Sequence, residues 1–180
     1  RLDAIKYLVE ENGEIEHTAG THAWLEAFHD AYKGANPNAL TVGEVWDPSI
    51  LTTEYVEGDE LDLTFNFDLS NGYMNAAEEG RFLSVTSVYR YDLERFPNNQ
   101  FATFLANHDQ NRVQSQLRDP DKSRIAATLL LTGPGVPFMY YGEELGMLGV
   151  KPDEDIRTPM QWDNSDNGGF TTGTPWRATN

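Results

Sequence analysis

Short apolar segments alternate with amphipathic segments along most of the chain. In the third apolar segment, every second position from Leu61 to Leu69 is apolar, which is the period of a β-strand. The other segments are short continuous apolar runs, which are typical of strands buried on both faces. We predict five strands: Arg1–Lys6, Leu40–Glu44, Leu61–Phe67, Phe101–Leu105 and Val136–Tyr140.

Helices are predicted between these strands. Every fourth position from Trp24 to Tyr32 is aromatic, which places these rings on one face of a helix. We predict this helix over Thr21–Tyr32, with Thr21 as its N-cap and Gly34 as its end. The pattern indicates an element that packs against the sheet through its apolar face.

A second helix is marked at both ends by residues that begin and end helices. Asp119 followed by Pro120 is typical of an N-cap and a first helical position, and Gly133 is typical of a helix end. We therefore predict a helix over Asp121–Leu131. Strands separated by helices pair in parallel through right-handed crossovers, which both an open doubly wound sheet and a (β/α) barrel satisfy.

Composition excludes several classes of protein. The chain has 180 residues, of which 39% are hydrophobic, and 13 basic against 29 acidic residues give a net charge of -16. Such a chain repels nucleic acid and anionic membranes, so we expect neither as a partner. No apolar run approaches the ~20 residues of a membrane span. The absence of cysteine excludes disulfides and thiolate chemistry. No glycine-rich phosphate loop is present, which disfavours nucleotide binding.

The last thirty residues are rich in Gly, Pro, Asn, Asp and Thr. We predict that Lys151–Asn180 forms a long, mostly irregular loop near the rim where the strands end. Within it, we predict that Trp162 packs as an anchor. Stacking of its ring on a sugar is the alternative.

Acidic side chains lie within or directly after three of the predicted strands. Asp3 lies in the first, Glu44 ends the second, and His108 and Asp109 follow the fourth. The carboxyl ends of parallel strands meet at one rim, where ligands bind, and like charges gathered there are costly without a functional reason. Taken singly, each residue is also compatible with a helix cap, a salt bridge, a structural histidine or a metal ligand.

Three motifs in this order resemble the fourth, fifth and seventh strands of glycoside hydrolase family 13, the α-amylase family. They are Arg1–Lys6, Gly43–Trp46 and Phe104–Asp109. Gly135–Glu144 is similar to the family's eighth strand and its loop. Arg157–Asp163 is similar to a segment of members that act on malto-oligosaccharides.

The resemblance implies an α/β fold that forms the C-terminal part of a TIM (β/α)8 barrel, with parallel strands alternating with helices. Residues 1–150 would form strands four to eight, and residues 151–180 a loop associated with the barrel. The earlier strands would come from a missing N-terminal half or be replaced by self-association, so we expect the isolated chain to be inactive.

Roles for the three acids follow from the same resemblance. Asp3 would be the nucleophile and Glu44 the general acid and base of a retaining glycosidase, which places their carboxyl groups about 5–5.5 Å apart. Asp109 would bind sugar hydroxyls and stabilise the transition state.

Three further residues would assist substrate binding. Arg1 would hold the nucleophile ionised through a charge-assisted hydrogen bond. His108 would donate to sugar hydroxyls beside Asp109. Lys6 would reach a sugar on the leaving-group side.

The implied activity is cleavage of α-1,4-glucosidic bonds in starch or malto-oligosaccharides, with an α-glucan as the partner. An α-glucosidase, a cyclomaltodextrinase or a glucan transglycosylase shares the same acids and stays open. A non-catalytic carbohydrate-associated or metal-binding α/β domain is the alternative of another class. We expect no cofactor or metal ligand in this chain, while calcium in the full-length enzyme stays possible, and we favour secretion over the cytoplasm.

Overall fold

A parallel β-sheet is the central element of the computed structural model, which describes residues 1–179. Its four strands lie side by side in sequence order. Val42 pairs with Leu63 in the register of the first two strands. The predicted parallel pairing and order are therefore confirmed. The strands are β1 (Val42–Gly43), β2 (Leu63–Phe65), β3 (Phe101–Thr103) and β4 (Val136–Pro137).

The predicted first strand is reduced to a single bridge. Leu2 pairs in parallel with Gly43, and the chain then turns at Ala4, whose φ is 47°. A 3-10 turn over Ile5–Tyr7 follows. The prediction of a strand over Arg1–Lys6 was wrong in its length, because a left-handed residue ends extended backbone at once.

The predicted strand over Leu61–Phe67 is also shorter than expected. It ends at Phe65, and a helix begins at Phe67. Between them, the side-chain oxygen of Asn66 accepts the backbone N–H of Leu69 at 2.8 Å, which is the bond of a helix N-cap. The alternation of apolar and polar residues therefore continues to Leu69, although the backbone is helical from Phe67 onwards.

The backbone at Gly135, directly before β4, lies close to the backbone of β3. Gly135 has φ +92°, and a Cβ atom there would lie 2.8 Å from the backbone oxygen of Phe101. Only glycine fits this position.

Helix α1 (Ala19–Ala35) starts two residues before its predicted first residue. Its N-cap is Thr18, whose side chain accepts from the backbone N–H of Thr21, so Thr21 is not the cap. The helix also continues through Gly34. The ends of α1 are set by the capping hydrogen bond and by the last backbone hydrogen bonds, and not by the row of aromatic residues.

The later helix matches its predicted signals. It is Pro120–Thr132, with Asp119 as N-cap accepting from the N–H of Asp121 and Gly133 as C-cap. Including α1, the helices are α1 (Ala19–Ala35), α2 (Ser49–Thr52), α3 (Glu54–Glu57), α4 (Phe67–Glu79), α5 (Leu83–Arg95), α6 (Val113–Leu117), α7 (Pro120–Thr132) and α8 (Asp153–Ile156).

The chain divides into two compact units that alternate along the sequence. The first contains the whole sheet and comprises residues 1–69, 85–103 and 134–137. The second comprises residues 70–84, 104–133 and 138–180. The predicted division into residues 1–150 and 151–180 stays a prediction. No helix within residues 1–179 is both long and apolar enough to cross a bilayer.

The tail is irregular, as expected from its composition. Between residues 151 and 179 it contains the single turn of α8 and a 3-10 turn over Asp166–Gly169, and no strand. Trp162 is 70% exposed, so the prediction that it packs as an anchor was wrong. Trp162 instead lines a surface cavity of the second unit, together with Phe170 and Trp176.

Candidate active site

Backbone hydrogen bonds hold the segments of Asp3 and Glu44 side by side. The N–H of Leu2 donates to Val42 O at 2.9 Å, and the N–H of Glu44 donates to Leu2 O at 3.0 Å. The N–H of Ile5 then donates to Glu44 O at 3.1 Å. Because these bonds flank both acids, the backbone fixes the region from which their carboxyl groups project.

One guanidinium nitrogen contacts both carboxyl groups. Arg1 Nη2 lies 2.7 Å from Asp3 Oδ1 and also donates to Glu44 Oε2. The predicted contact between Arg1 and Asp3 is therefore present, and the contact with Glu44 is additional. Two hydrogen bonds of ordinary length, about 3 Å each, place the two carboxyl oxygens no more than about 6 Å apart.

The two acids have different surroundings. Glu44 is 8% exposed, whereas the side chain of Asp3 is 71% exposed. Asp3 is therefore open to a ligand from solvent, and Glu44 lies in a drier setting at the end of β1. Their roles as nucleophile and acid stay predictions.

Asp109 and His108 lie in the second unit, after a buried continuation of β3. The side-chain oxygen of Asn107 accepts the N–H of Asp109 at 2.9 Å, which orders the turn. His108 Nε2 lies 3.2 Å from Asp109 Oδ2. The structure thus pairs these two predicted residues, and it pairs Arg1 with Asp3 and Glu44 in the first unit.

Arg157 is a site residue that sequence reasoning missed. Its Nη2 contacts Asp109 Oδ1 at 2.7 Å, and its Nε donates to the backbone oxygen of His108 at 2.8 Å. The same Nη2 contacts Asp153 at 2.7 Å. The sequence placed Arg157 in a family-like segment, but 48 residues separate it from Asp109, and no periodicity joins them.

Lys6 is 8% exposed and forms ion pairs inside the first unit. Its Nζ lies 2.6 Å from Asp47 Oδ2 and 3.3 Å from Glu16 Oε2. Burial by itself lowers the pKa of Lys6, but hydrogen bonds to Asp47, Tyr7 and Glu16 outweigh burial and raise the pKa above its ordinary value. The predicted contact between Lys6 and a sugar stays a prediction.

Among residues 1–179, Glu16, His17 and Asp47 form a group whose ligand atoms lie within 4.8 Å of one another. The ammonium of Lys6 binds both carboxylates of this group and neutralises part of its charge. Calcium takes oxygen ligands, whereas one member here is an imidazole. The group does not fit calcium.

A buried arginine and a buried carboxyl lie close to the turn after β4. Arg112 is 1% exposed, and its guanidinium carbon lies 4.6 and 4.5 Å from the ring centroids of Tyr140 and Tyr141. Glu143 is largely buried, with hydrogen bonds to its carboxyl only from the backbone of Ala106 and Tyr140 and with the charge of Arg112 nearby. Burial raises the pKa of Glu143 to about 8.

Comparison with known proteins places this arrangement in a family. The catalytic domain of the α-amylase family matches residues 1–180. Alpha-amylase 3 of Dictyoglomus thermophilum is 39% identical over 167 residues, covering 90% of this chain and 32% of that protein. A cyclomaltodextrinase of a Bacillus species is 28% identical over 176 residues, covering 91% and 31%.

The likeness extends to three dimensions. The crystal structure of the α-amylase from H. orenii superposes with a TM-score of 0.78 at 37% identity, covering 87% of this chain and 33% of that one. The parallel strands β1 to β4 are therefore part of a TIM (β/α)8 barrel. The chain spans about a third of the length of these relatives. It belongs to the α-amylase family, glycoside hydrolase family 13, by a match to the catalytic domain along residues 1–180.

Proposed function

We propose that the protein carrying this chain is a retaining glycoside hydrolase that cleaves α-1,4-glucosidic bonds in starch or malto-oligosaccharides. The observation that carries this proposal is the shared contact of Asp3 and Glu44 with one nitrogen of Arg1. A separation of no more than about 6 Å between their oxygens favours the retaining spacing of about 5–5.5 Å over the inverting spacing of about 6.5–9.5 Å.

In the first step, Glu44 gives its proton to the glycosidic oxygen while Asp3 attacks the anomeric carbon. The bond to the leaving sugar breaks, and an ester between Asp3 and the glucosyl unit forms. In the second step, Glu44 takes a proton from water, which attacks the same carbon and releases Asp3. Each step inverts the anomeric carbon, so the product retains the configuration of the substrate.

The mechanism requires the guanidinium of Arg1 to contact Asp3 rather than Glu44 when substrate is bound. The guanidinium of Arg1 contacts both carboxyl groups, and a carboxyl held by a guanidinium is a poor proton donor. Entry of the glycosidic oxygen beside Glu44 would displace the second contact. Asp109, oriented by His108 and Arg157, would then bind sugar hydroxyls.

The test uses the natural protein that contains this chain. Asp3→Asn and Glu44→Gln should each lower kcat on soluble starch at least about 1,000-fold, because each removes a chemical step and leaves the packing intact. Asp30→Asn is the matched control, since Asp30 is an exposed carboxylate on α1, and it should leave turnover unchanged. Starch turnover like the parent's in Asp3→Asn would refute the assignment.

The stereochemistry of the product gives an independent check. NMR of the first product formed should show the α-anomer before mutarotation, as a retaining mechanism requires. An initial β-anomer would refute the retaining mechanism while leaving a glycosidase open.

A cyclomaltodextrinase-type or α-glucosidase-type specificity, or transglycosylation, is the second candidate, and the similarity to a cyclomaltodextrinase supports it. These activities share the first step and differ in the sugar sites and in the acceptor of the second step. Comparing initial rates on starch, maltose and a cyclodextrin, with product analysis for new glycosidic bonds, separates them. Secretion and the absence of a resident cofactor in this chain stay predictions.

A further inference from the structure

A second pair of charges lies beyond the two proposed catalytic acids. Lys6 follows Asp3 by three positions, and Asp47 follows Glu44 by three positions. Their charged atoms, Nζ and Oδ2, lie 2.6 Å apart. Lys6 is buried, and the side chain of Asp47 is largely so, which makes this contact stronger than an exposed ion pair.

Neighbouring groups enclose this pair and restrict its movement. Glu16 Oε2 lies 3.3 Å from Lys6 Nζ, and His17 Nε2 lies 3.5 Å from Asp47 Oδ2. The other ring nitrogen of His17 is 2.8 Å from the hydroxyl of Tyr55, whose side chain is fully buried on α3. Asp47 is therefore bound by Lys6, and the ring of His17, which Tyr55 anchors, lies beside its carboxylate without a hydrogen bond to it.

The ion pair of Lys6 and Asp47 joins the two segments where backbone hydrogen bonds between them have ended. The hydrogen bond from Ile5 N–H to Glu44 O, at 3.1 Å, is the last backbone bond between the two segments along the chain. After it, one segment enters the 3-10 turn Ile5–Tyr7, and in the other the N–H of Asp47 turns back to Val45 O at 2.9 Å. Beyond this point the described contacts of Asp47 with the first segment are made by side chains: the ion pair with Lys6 and the approach of His17 to 3.5 Å.

We infer that Asp47 is a positioning residue, which through Lys6 fixes the segment after Asp3 against the segment after Glu44 and so holds the two proposed catalytic carboxyl groups at their working separation. The inference rests on the proposed function. Asp47 acts through Lys6 and the backbone and need not touch the substrate.

Asp47→Asn keeps the size of the side chain and removes its charge. We expect kcat on starch to fall about 10- to 100-fold, because small misplacements of catalytic groups cost this much, with KM little changed. The unbalanced ammonium of Lys6 also favours the ionised form of Glu44. The alkaline limb of the pH profile of kcat/KM, which reports loss of the acid's proton, should move to lower pH by about half a unit or more.

Two further variants separate positioning from general damage. Glu16→Gln removes the other carboxylate on the same ammonium, at 3.3 Å, but leaves the contact of Lys6 with Asp47 in place, so it should lower kcat and move the alkaline limb much less than Asp47→Asn does. Asp47→Glu restores the negative charge, and the alkaline limb should return towards its parental position. Circular dichroism and the midpoint of thermal unfolding show that each variant is folded.

The outcomes are distinct. An unchanged kcat and pH profile in Asp47→Asn overturns the inference. A lowered kcat with an unmoved alkaline limb and no recovery in Asp47→Glu also overturns it, because that pattern indicates loss of fold quality alone. If the parent protein cleaves no glucan, the proposed function fails and the inference falls with it. If the parent is active and Asp3→Asn is not, the proposed function stands and Asp47 is judged by its own variants.

Discussion

Replacing Glu143 by Gln should remove a pH-dependent loss of stability. Burial of the carboxyl raises its pKa to about 8 from an ordinary value of 4.5, because it outweighs the backbone hydrogen bonds of Ala106 and Tyr140 and the charge of Arg112. A carboxyl with a raised folded-state pKa contributes full stability below the unfolded-state value and loses it as pH rises towards the folded-state value. The window for this loss therefore runs from about pH 4.5 to pH 8.

The size of the effect follows from the same two pKa values. Between pH 5 and pH 7, ionisation in the unfolded state should cost the folded state about 2.5 kcal/mol. The entropy of unfolding grows with chain length, so in the natural protein this free energy should lower Tm by a few degrees. Gln keeps the volume of Glu but does not ionise. The free energy of unfolding of Glu143→Gln should therefore not fall by this amount between pH 5 and pH 7.

The assay is thermal and denaturant unfolding of the natural protein at several pH values between 5 and 8. Glu144→Gln is the matched control, because Glu144 is the exposed neighbour of Glu143, and its pH profile should follow that of the parent. Taking differences between variants cancels the contribution of all other titrating groups. Parallel stability curves for the parent and Glu143→Gln across this range would refute the assignment of a raised pKa to Glu143.

Substitutions at three further positions test the fold and the site. Asp119→Ala should destabilise the protein by about 1 kcal/mol in denaturant unfolding, because the N-cap bond of α7 is lost, whereas Asp119→Asn should cost little. Gly135→Ala should cost about 2–4 kcal/mol, since its Cβ atom would overlap Phe101 at a positive φ; a neutral effect would contradict that contact. Arg157→Gln should lower kcat on starch at least about 10-fold, because Asp109 loses an ion pair; parental turnover would show that this pair is dispensable.

The sequence pattern determined the parallel character of the sheet, because strands separated by helices pair in parallel through right-handed crossovers. The order of the strands followed from the resemblance to the α-amylase family, because the pattern alone allowed both an open doubly wound sheet and a barrel. Local signals also marked the ends of α7, since Asp119 and Gly133 act through bonds to their immediate neighbours. The contact of Arg1 with Asp3 was implied by the resemblance of Arg1–Lys6 to the fourth-strand motif of the family.

Competition between local signals explains the errors in element boundaries. Alternation from Leu61 to Leu69 predicts a strand throughout, but the side chain of Asn66 caps a helix that begins at Phe67. In the same way, Thr18 rather than Thr21 caps α1. Thr18 and Thr21 are both of the residue type that caps helices. Which of them becomes the N-cap depends on which backbone N–H groups the rest of the fold leaves unpaired.

Only the tertiary structure decided which distant charges meet. Lys6 is 41 residues from Asp47, and Arg157 is 48 residues from Asp109. Neither pair can be found from a helix or strand period in the sequence. Such pairs form where loops from different strands converge. The exposure of Trp162 has the same origin: composition marks an aromatic residue as apolar, but burial depends on whether the surrounding chain covers it.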